Sequence, residues 1–237
     1  MDGHALLERL AAEPRLAALF FDLDGVLAPI VARPEDAVVP AATRSELERL
    51  AGRYPLVAVV TGRDGDDARA RLGVEGIVVV GSHGLELEPG AEAWAERLQA
   101  FAAKVDWPLE RKRLTVAFHY RTADDEREAR RTLEAVAERA RAEGFVARFG
   151  RKVLEVLPPL EADKGTAVTH LVSERGLRRG LYAGDDTTDL DGFRALEGLE
   201  LAVRVAVASP EGPPALREAA DLVVESPAAL LDLLREL

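Results

Sequence analysis

Short apolar runs that stop at polar tips govern what this chain can fold into. Leu16 to Phe21 ends at Asp22-Leu23-Asp24-Gly25, and Leu56 to Val60 ends at Thr61-Gly62-Arg63. Ile77 to Val80 ends at Gly81-Ser82-His83-Gly84, and Leu181 to Ala183 runs into Gly184-Asp185-Asp186-Thr187-Thr188-Asp189. Strands that are apolar on both faces must be covered on both faces, which is the signature of a parallel sheet under helices. The pattern between them predicts a helix over 41–52, with Leu47 and Leu50 on one face. It predicts another over 164–175, capped by Asp163 and stopped by Gly176. Further strands are expected at 201–207 and 222–224, with a closing helix at 228–236. The fold class is therefore α/β, with a Rossmann-like parallel sheet core. In such sheets ligands bind beyond the carboxyl ends of the strands, where these polar tips lie.

The middle of the chain has a different rhythm. Leu114 to Tyr120 mixes apolar and polar positions, as in a sheet with one open face. A charged helix from Asp124 to Glu143 carries a narrow apolar stripe of Leu133, Val136, Ala137 and Ala140. Two more strands, 145–149 and 153–157, precede Pro158-Pro159, a linker signal. This β–α–β–β block reads as an inserted α+β cap over residues 90–160, within a core made of 1–89 and 161–237.

Charge and composition exclude several classes. The 237 residues carry 42 acidic against 31 basic groups, a formal net charge of −11. Nucleic acids and anionic membranes are bound through Lys and Arg, so neither is an expected partner. An anionic small molecule would need a local cation cluster. The absence of cysteine excludes disulfides, thiolate metal sites and cysteine nucleophiles. The polar start MDGHALLERLAAEPR lacks a signal-peptide pattern, and no apolar run reaches 18 residues. The expected location is the cytoplasm. Nothing in the chain specifies an oligomeric state.

The carboxylates ask for a cation. Residues i and i+2 of a strand project to one side, so Asp22 and Asp24 leave the first strand together. Carboxylates held that close resist ionising together unless a cation joins them. Asp185, Asp186 and Asp189 pose the same problem five residues wide. A structural turn or a simple metal loop would also use DxDG, and Thr61-Gly62-Arg63 or Asp163-Lys164-Gly165 alone would pass for a turn and a helix start.

In order and spacing, these four motifs together resemble the haloacid dehalogenase-like superfamily of aspartate-nucleophile phosphatases. FDLDGVL, VVTGR, GSHG, LTVAFHYR, RKVLEV, DKG and GDDTTD are similar to the trehalose-6-phosphate phosphatase family within it. The resemblance implies a phosphoric monoester hydrolase of trehalose biosynthesis with Asp22 as nucleophile and Asp24 as general acid and base. It also implies Thr61 on a phosphoryl oxygen and Lys164 as the neutralising cation. Mg²⁺ would be held by Asp22, the Asp24 carbonyl and Asp185, with Asp186 and Asp189 on its waters or bound directly. The sugar phosphate would meet Glu155 and the cations Arg113, Arg121, Arg151 and Lys152 of the cap, with His83 at the mouth of the site and Arg63 either contacting the substrate or bracing its loop. With no glycosyltransferase-like segment in these residues, it would act as a phosphatase alone. Leu157 and Leu190 depart from the family pattern, where arginine and an acidic residue are usual. A phosphatase for another sugar phosphate, such as sucrose, mannosylglycerate or glucosylglycerol phosphate, is the alternative.

Overall fold

The computed structural model describes residues 3–31, 33–150, 152–209 and 212–237, with the side chain of Pro34 left aside. The chain divides into two compact units, Met1–Gly84 with Ala162–Leu237, and Leu85–Glu161.

The first unit holds strands β1 (Ala17–Phe21), β2 (Leu56–Val60) and β3 (Val78–Val80), interleaved with helices α1 (Gly3–Ala12), α2 (Ala41–Arg53) and α3 (Gly65–Leu72). The second holds α4 (Glu92–Ala102), β4 (Leu109–Arg111), β5 (Val116–His119), α5 (Glu126–Ala142), β6 (Val146–Gly150) and β7 (Val153–Leu157). The chain then completes the first unit with α6 (Lys164–Glu174), β8 (Arg179–Gly184), α7 (Asp189–Ala195), β9 (Leu201–Val207), α8 (Pro214–Ala219), β10 (Leu222–Val224) and α9 (Pro227–Leu234).

Among the described residues the first unit's sheet has the order β10-β9-β8-β1-β2-β3, with every pairing parallel. β1 leads to one side of the sheet and β8 to the other, so the strand order switches between them. That is where an open α/β sheet forms its ligand crevice. Both faces are buried, as the apolar runs require. Leu19, Phe21, Val57, Val59 and Leu181 pack with Leu7, Leu10, Leu47 and Leu50. Phe20 and Tyr182 point the other way and stack at 6.5 Å between ring centroids.

The second unit is an antiparallel sheet of order β4-β5-β7-β6 with one apolar face. Val116, Phe118, Leu154 and Val156 pack on Leu98 and Phe101 of α4 and on Leu133 and Ala137 of α5. The opposite face carries a cross-strand row, Glu110, Ala117, Glu155 and Arg148. This unit holds more than the β–α–β–β block read from the sequence. Helix α4 precedes that block, and β4 adds an edge strand too short to show alternation.

Candidate active site

The tips of β1 and β8 meet at the switch point. The Asp22 N–H donates to the Ala183 carbonyl at 3.0 Å, extending the β1–β8 ladder to the first motif residue. Asp22 and Asp185 are thereby fixed on adjacent strand ends. Lys164 opens α6, behind an Asp163 capping box in which Asp163 Oδ1 accepts the Thr166 N–H at 2.8 Å. Its Nζ lies 2.8 Å from Asp22 Oδ2 and 2.7 Å from Asp189 Oδ1. The lysine is 1% exposed, so its charge survives only because these two carboxylates hold it. Burial opposes the proton, yet Asp189 and Asp22 raise the Lys164 pKa above the ordinary lysine value.

Asp189 is the hub of this cluster. Its Oδ1 accepts from Lys164 Nζ at 2.7 Å and from the Tyr182 hydroxyl at 2.9 Å. Its Oδ2 accepts the backbone N–H groups of Asp185 and Asp186, each at 2.9 Å. A carboxylate has about four lone-pair sites, and these bonds use them. Asp189 therefore shapes the loop and holds the lysine. Gly184 permits the fold-back, since a Cβ there would lie 2.3 Å from Asp189 Cγ. The sequence reading overlooked Tyr182; its signal was a hydroxyl inside an otherwise apolar strand, which must find a partner when buried.

The donor set fits a hard divalent cation. Carboxylate oxygens of Asp22, Asp185 and Asp189 all lie within 4.8 Å of one another. Burial pushes the Asp22 carboxyl up to about 7, against the pull of Lys164. Burial, reinforced by Asp22 and Asp189, pushes Asp185 up to about 8. Carboxyls held reluctant to ionise form a site that a cation relieves. Gly25, at φ +81°, makes the approach possible, because a Cβ there would sit 2.2 Å from Asp185 Oδ2. With the Asp189 oxygens already taken by four hydrogen bonds, Asp22 and Asp185 are the members of this set that offer oxygen to a cation, the chemistry that Mg²⁺ selects. Asp186 is exposed, and its Oδ1 accepts the Thr187 N–H at 2.6 Å.

Asp24 is gripped from the neighbouring strand. Arg63 Nε lies 2.5 Å from Asp24 Oδ2 and its Nη2 lies 2.8 Å from Oδ1, a bidentate clamp. Arg63 Nη1 also donates to Asp67 at 2.9 Å, and Asp67 in turn accepts from Arg71 Nε. Arg71 reaches on to the carbonyls of Glu35 and Ala37, each at 3.0 Å. In this arrangement Arg63 is occupied with Asp24. Thr61 is buried, and its Oγ1 accepts the Arg63 N–H at 3.2 Å, leaving its own proton to give elsewhere.

The loop after β3 is strained. Ser82, His83 and Gly84 have φ of +52°, +54° and +102° in succession. For a residue with a Cβ, the left-handed region costs roughly 1–2 kcal/mol. Ser82 N donates to the Arg63 carbonyl at 2.7 Å and His83 N to the Thr61 carbonyl at 2.9 Å. The His83 ring lies over Gly62.

The second unit's candidates are arranged differently. Glu155 is half-buried on β7, directly across from Ala117 on β5 and Arg148 on β6. Arg148 escaped the sequence reading; the strand alternation that puts it on the Glu155 face was its only signal. Arg113 pairs with Glu86 at 3.3 Å and also with Glu92. Lys152, at φ +54°, pairs with Glu126 at the start of α5. Arg121 is exposed just beyond β5, and Arg151 lies outside the described residues. His119 Nε2 is 3.0 Å from Glu110 Oε2. Among the described residues no helix is long and apolar enough to cross a membrane.

Comparison with known proteins accords with this geometry. A curated trehalose-phosphate phosphatase of Mycobacterium avium is 38% identical over 207 residues, covering 78% of this chain and 52% of its own. An uncharacterised glycosyl hydrolase of Mycobacterium tuberculosis is 35% identical over 227 residues, covering 85% of this chain and 17% of its own. The chain thus spans about half the length of the former and a small part of the latter. Among solved structures, the C-terminal domain of a C. albicans trehalose-6-phosphate phosphatase superposes with TM-score 0.75 at 21% identity, covering 99% of this chain and 95% of that one. An Aspergillus fumigatus trehalose-6-phosphate phosphatase does so with TM-score 0.67 at 26% identity, covering 99% and 96%. The Trehalose-phosphatase family model matches residues 20–108 and 108–224, so the chain belongs to the trehalose-phosphatase family.

Proposed function

We propose that the chain hydrolyses trehalose 6-phosphate to trehalose and phosphate. The observation that carries the reading is the buried Asp22–Lys164–Asp189 cluster at the sheet's switch point, in a chain whose family acts on this class of ester. An Asp22 carboxylate oxygen attacks phosphorus while the bond to the sugar oxygen breaks, giving an aspartyl-phosphate. Asp24 supplies the proton that the departing sugar oxygen needs. It then takes one from the water that attacks phosphorus, returning the Asp22 carboxylate and releasing phosphate. Lys164 and the Thr61 hydroxyl balance the negative charge of the phosphoryl group in transit. Asp22 and Asp185, with the Asp24 carbonyl and Asp186 nearby in sequence, would hold Mg²⁺. Bound there, it would screen the nucleophile from the incoming phosphate.

The second unit would act as a cap that selects the sugar, with Glu155 accepting hydroxyl bonds. A site built to bond hydroxyls rejects molecules that lack them. Arg121 and Arg148 are two exposed cations on or beside that sheet.

The test is phosphate release with Mg²⁺ from trehalose 6-phosphate, sucrose 6-phosphate and glucose 6-phosphate. Trehalose 6-phosphate should be the best substrate, and equal turnover of glucose 6-phosphate would defeat the assignment. Asp22→Asn should lower release by at least about 10³-fold while the protein stays folded by circular dichroism. Residual activity near wild type would remove Asp22 from the nucleophile's role.

A further inference from the structure

We infer that His83 is a positioning residue, a wedge whose ring holds the Thr61-Gly62-Arg63 turn in its working shape. An ideal Cβ placed on Gly62 would lie 2.5 Å from both Cε1 and Nε2 of His83. The imidazole therefore fills the space that a side chain at residue 62 would take. Two backbone bonds fasten the same contact from the other side: Ser82 N to the Arg63 carbonyl at 2.7 Å, and His83 N to the Thr61 carbonyl at 2.9 Å. The turn that carries the Thr61 hydroxyl and the Arg63 clamp on Asp24 is thus held along its whole length.

The same strap reaches the lysine's helix. A Cβ on Gly84 would lie 2.5 Å from the Asp163 carbonyl, so the loop runs against the cap of α6, one residue from Lys164. The strap thereby ties the turn after β2 to the start of α6 and fixes the spacing of Thr61 and Lys164. Two observations indicate that this loop is kept for geometry at some expense of stability. Ser82 and His83 adopt left-handed backbone without being glycine, at φ +52° and +54°. The Ser82 hydroxyl is buried without a hydrogen-bond partner among the described residues.

The inference relies on the phosphatase reading for its kinetic assay, and the reading does not depend on it. The experiment is a double-mutant cycle of Gly62→Ala and His83→Asn, read as kcat and KM on p-nitrophenyl phosphate and trehalose 6-phosphate with Mg²⁺. Asparagine tolerates left-handed backbone, so His83→Asn removes the ring while sparing the loop. Gly62→Ala forces its methyl against the ring and should cost about 10²-fold in kcat, the scale of a 1 Å misplacement. His83→Asn should lower kcat with KM little changed. The double variant should recover at least about tenfold relative to Gly62→Ala, because the smaller side chain makes room for the methyl.

Strictly multiplicative effects would overturn the wedge. So would a His83→Asn variant that raises KM and leaves kcat alone, which would make His83 a substrate contact. If the wild type hydrolyses no phosphomonoester, the functional reading fails separately. The wedge is then judged by thermal unfolding of the same variants: Gly62→Ala should lower Tm and the double variant should restore part of it, whereas additive shifts reject it.

Discussion

The two units hold their charged residues in opposite ways. In the first, Asp22, Lys164 and Asp189 are buried and bonded to one another, with Lys164 at 1% exposure and Asp189 at 0%. Each belongs at once to the proposed chemistry and to the core. In the second, Arg113, Lys152, His119 and Glu155 lie on or near a sheet surface, and several pair with acidic neighbours in their own unit. Exposed pairs of that kind contribute about 0–1 kcal/mol and exchange partners readily. A buried, mutually bonded cluster cannot change one member without disturbing the fold, whereas an exposed, loosely paired surface can change with little effect on folding.

Among the variants that separate the two units, the largest expected effect probes the first unit at Arg63. If the clamp on Asp24 serves general acid catalysis, Arg63→Gln should slow the first turnover of a sugar phosphate by about 10²-fold or more, the usual worth of a positioned proton donor. It should slow p-nitrophenyl phosphate much less, since p-nitrophenolate leaves without needing a proton. Single-turnover release of the two leaving groups makes the measurement. An equal loss on both would assign Arg63 to phosphate binding or to the fold and would blur the division of roles between the two units.

The second unit should show activity separable from stability. Glu155→Gln keeps the shape and removes the charge. It should lower kcat/KM for trehalose 6-phosphate by about 10–100-fold, equivalent to one hydrogen bond to a charged group. Hydrolysis of p-nitrophenyl phosphate should be unchanged, as should stability to within about 0.5 kcal/mol. A Glu155→Gln protein that unfolds early would mean that the open face is as structural as the buried cluster.

What the sequence disclosed follows the same line. The strand tips were legible because each apolar run and the polar residues that end it are contiguous; β1 stops at Phe21, and beyond it Asp22 meets Lys164 while Asp24 meets Arg63. The helix start at Lys164 was legible from its capping residue, Asp163, but the lysine itself was singled out only by the resemblance of the DKG motif. Pairings between distant residues were not. Arg63 meets Asp24 only because β2 lies beside β1, and Lys152 meets Glu126 only because the fold brings together residues 26 apart in the chain. Asp189 could be seen as one more carboxylate, but its four bonds depend on the backbone turning back over Gly184. The three-residue strand β4 has no room for a pattern. The left-handed run at Ser82 and His83 has only a weak signature: serine is not a residue that favours this region, and histidine is merely enriched there.

The smallest effect tests whether a cation completes the first unit's cluster, and its sign follows from the carboxyl shifts. Asp22 and Asp185 have folded-state pKa values raised to about 7 and about 8. Unfolded aspartates titrate near about 3.9. Between those limits the folded, metal-free protein binds more protons than the unfolded chain, so stability falls as pH rises. The contribution of these two groups is fully present below about pH 4 and is lost as pH passes through about 7 and about 8. A divalent cation bound only by the folded state reverses this loss, and it binds best once the carboxyls are ionised. The Tm increment of Mg²⁺ over EDTA should therefore be near zero at pH 5 and should grow to several °C at pH 8, about 2–4 °C for each kcal/mol of binding linkage. Asp185→Asn should raise the metal-free Tm at pH 8, because it removes a charge that the fold tolerates poorly, and should abolish most of the Mg²⁺ increment. Glu155→Gln should leave both curves where they are. An increment that is flat across this range, or that survives Asp185→Asn, would place the cation outside the cluster. The buried unit would then depend on Lys164 alone to balance its carboxylates.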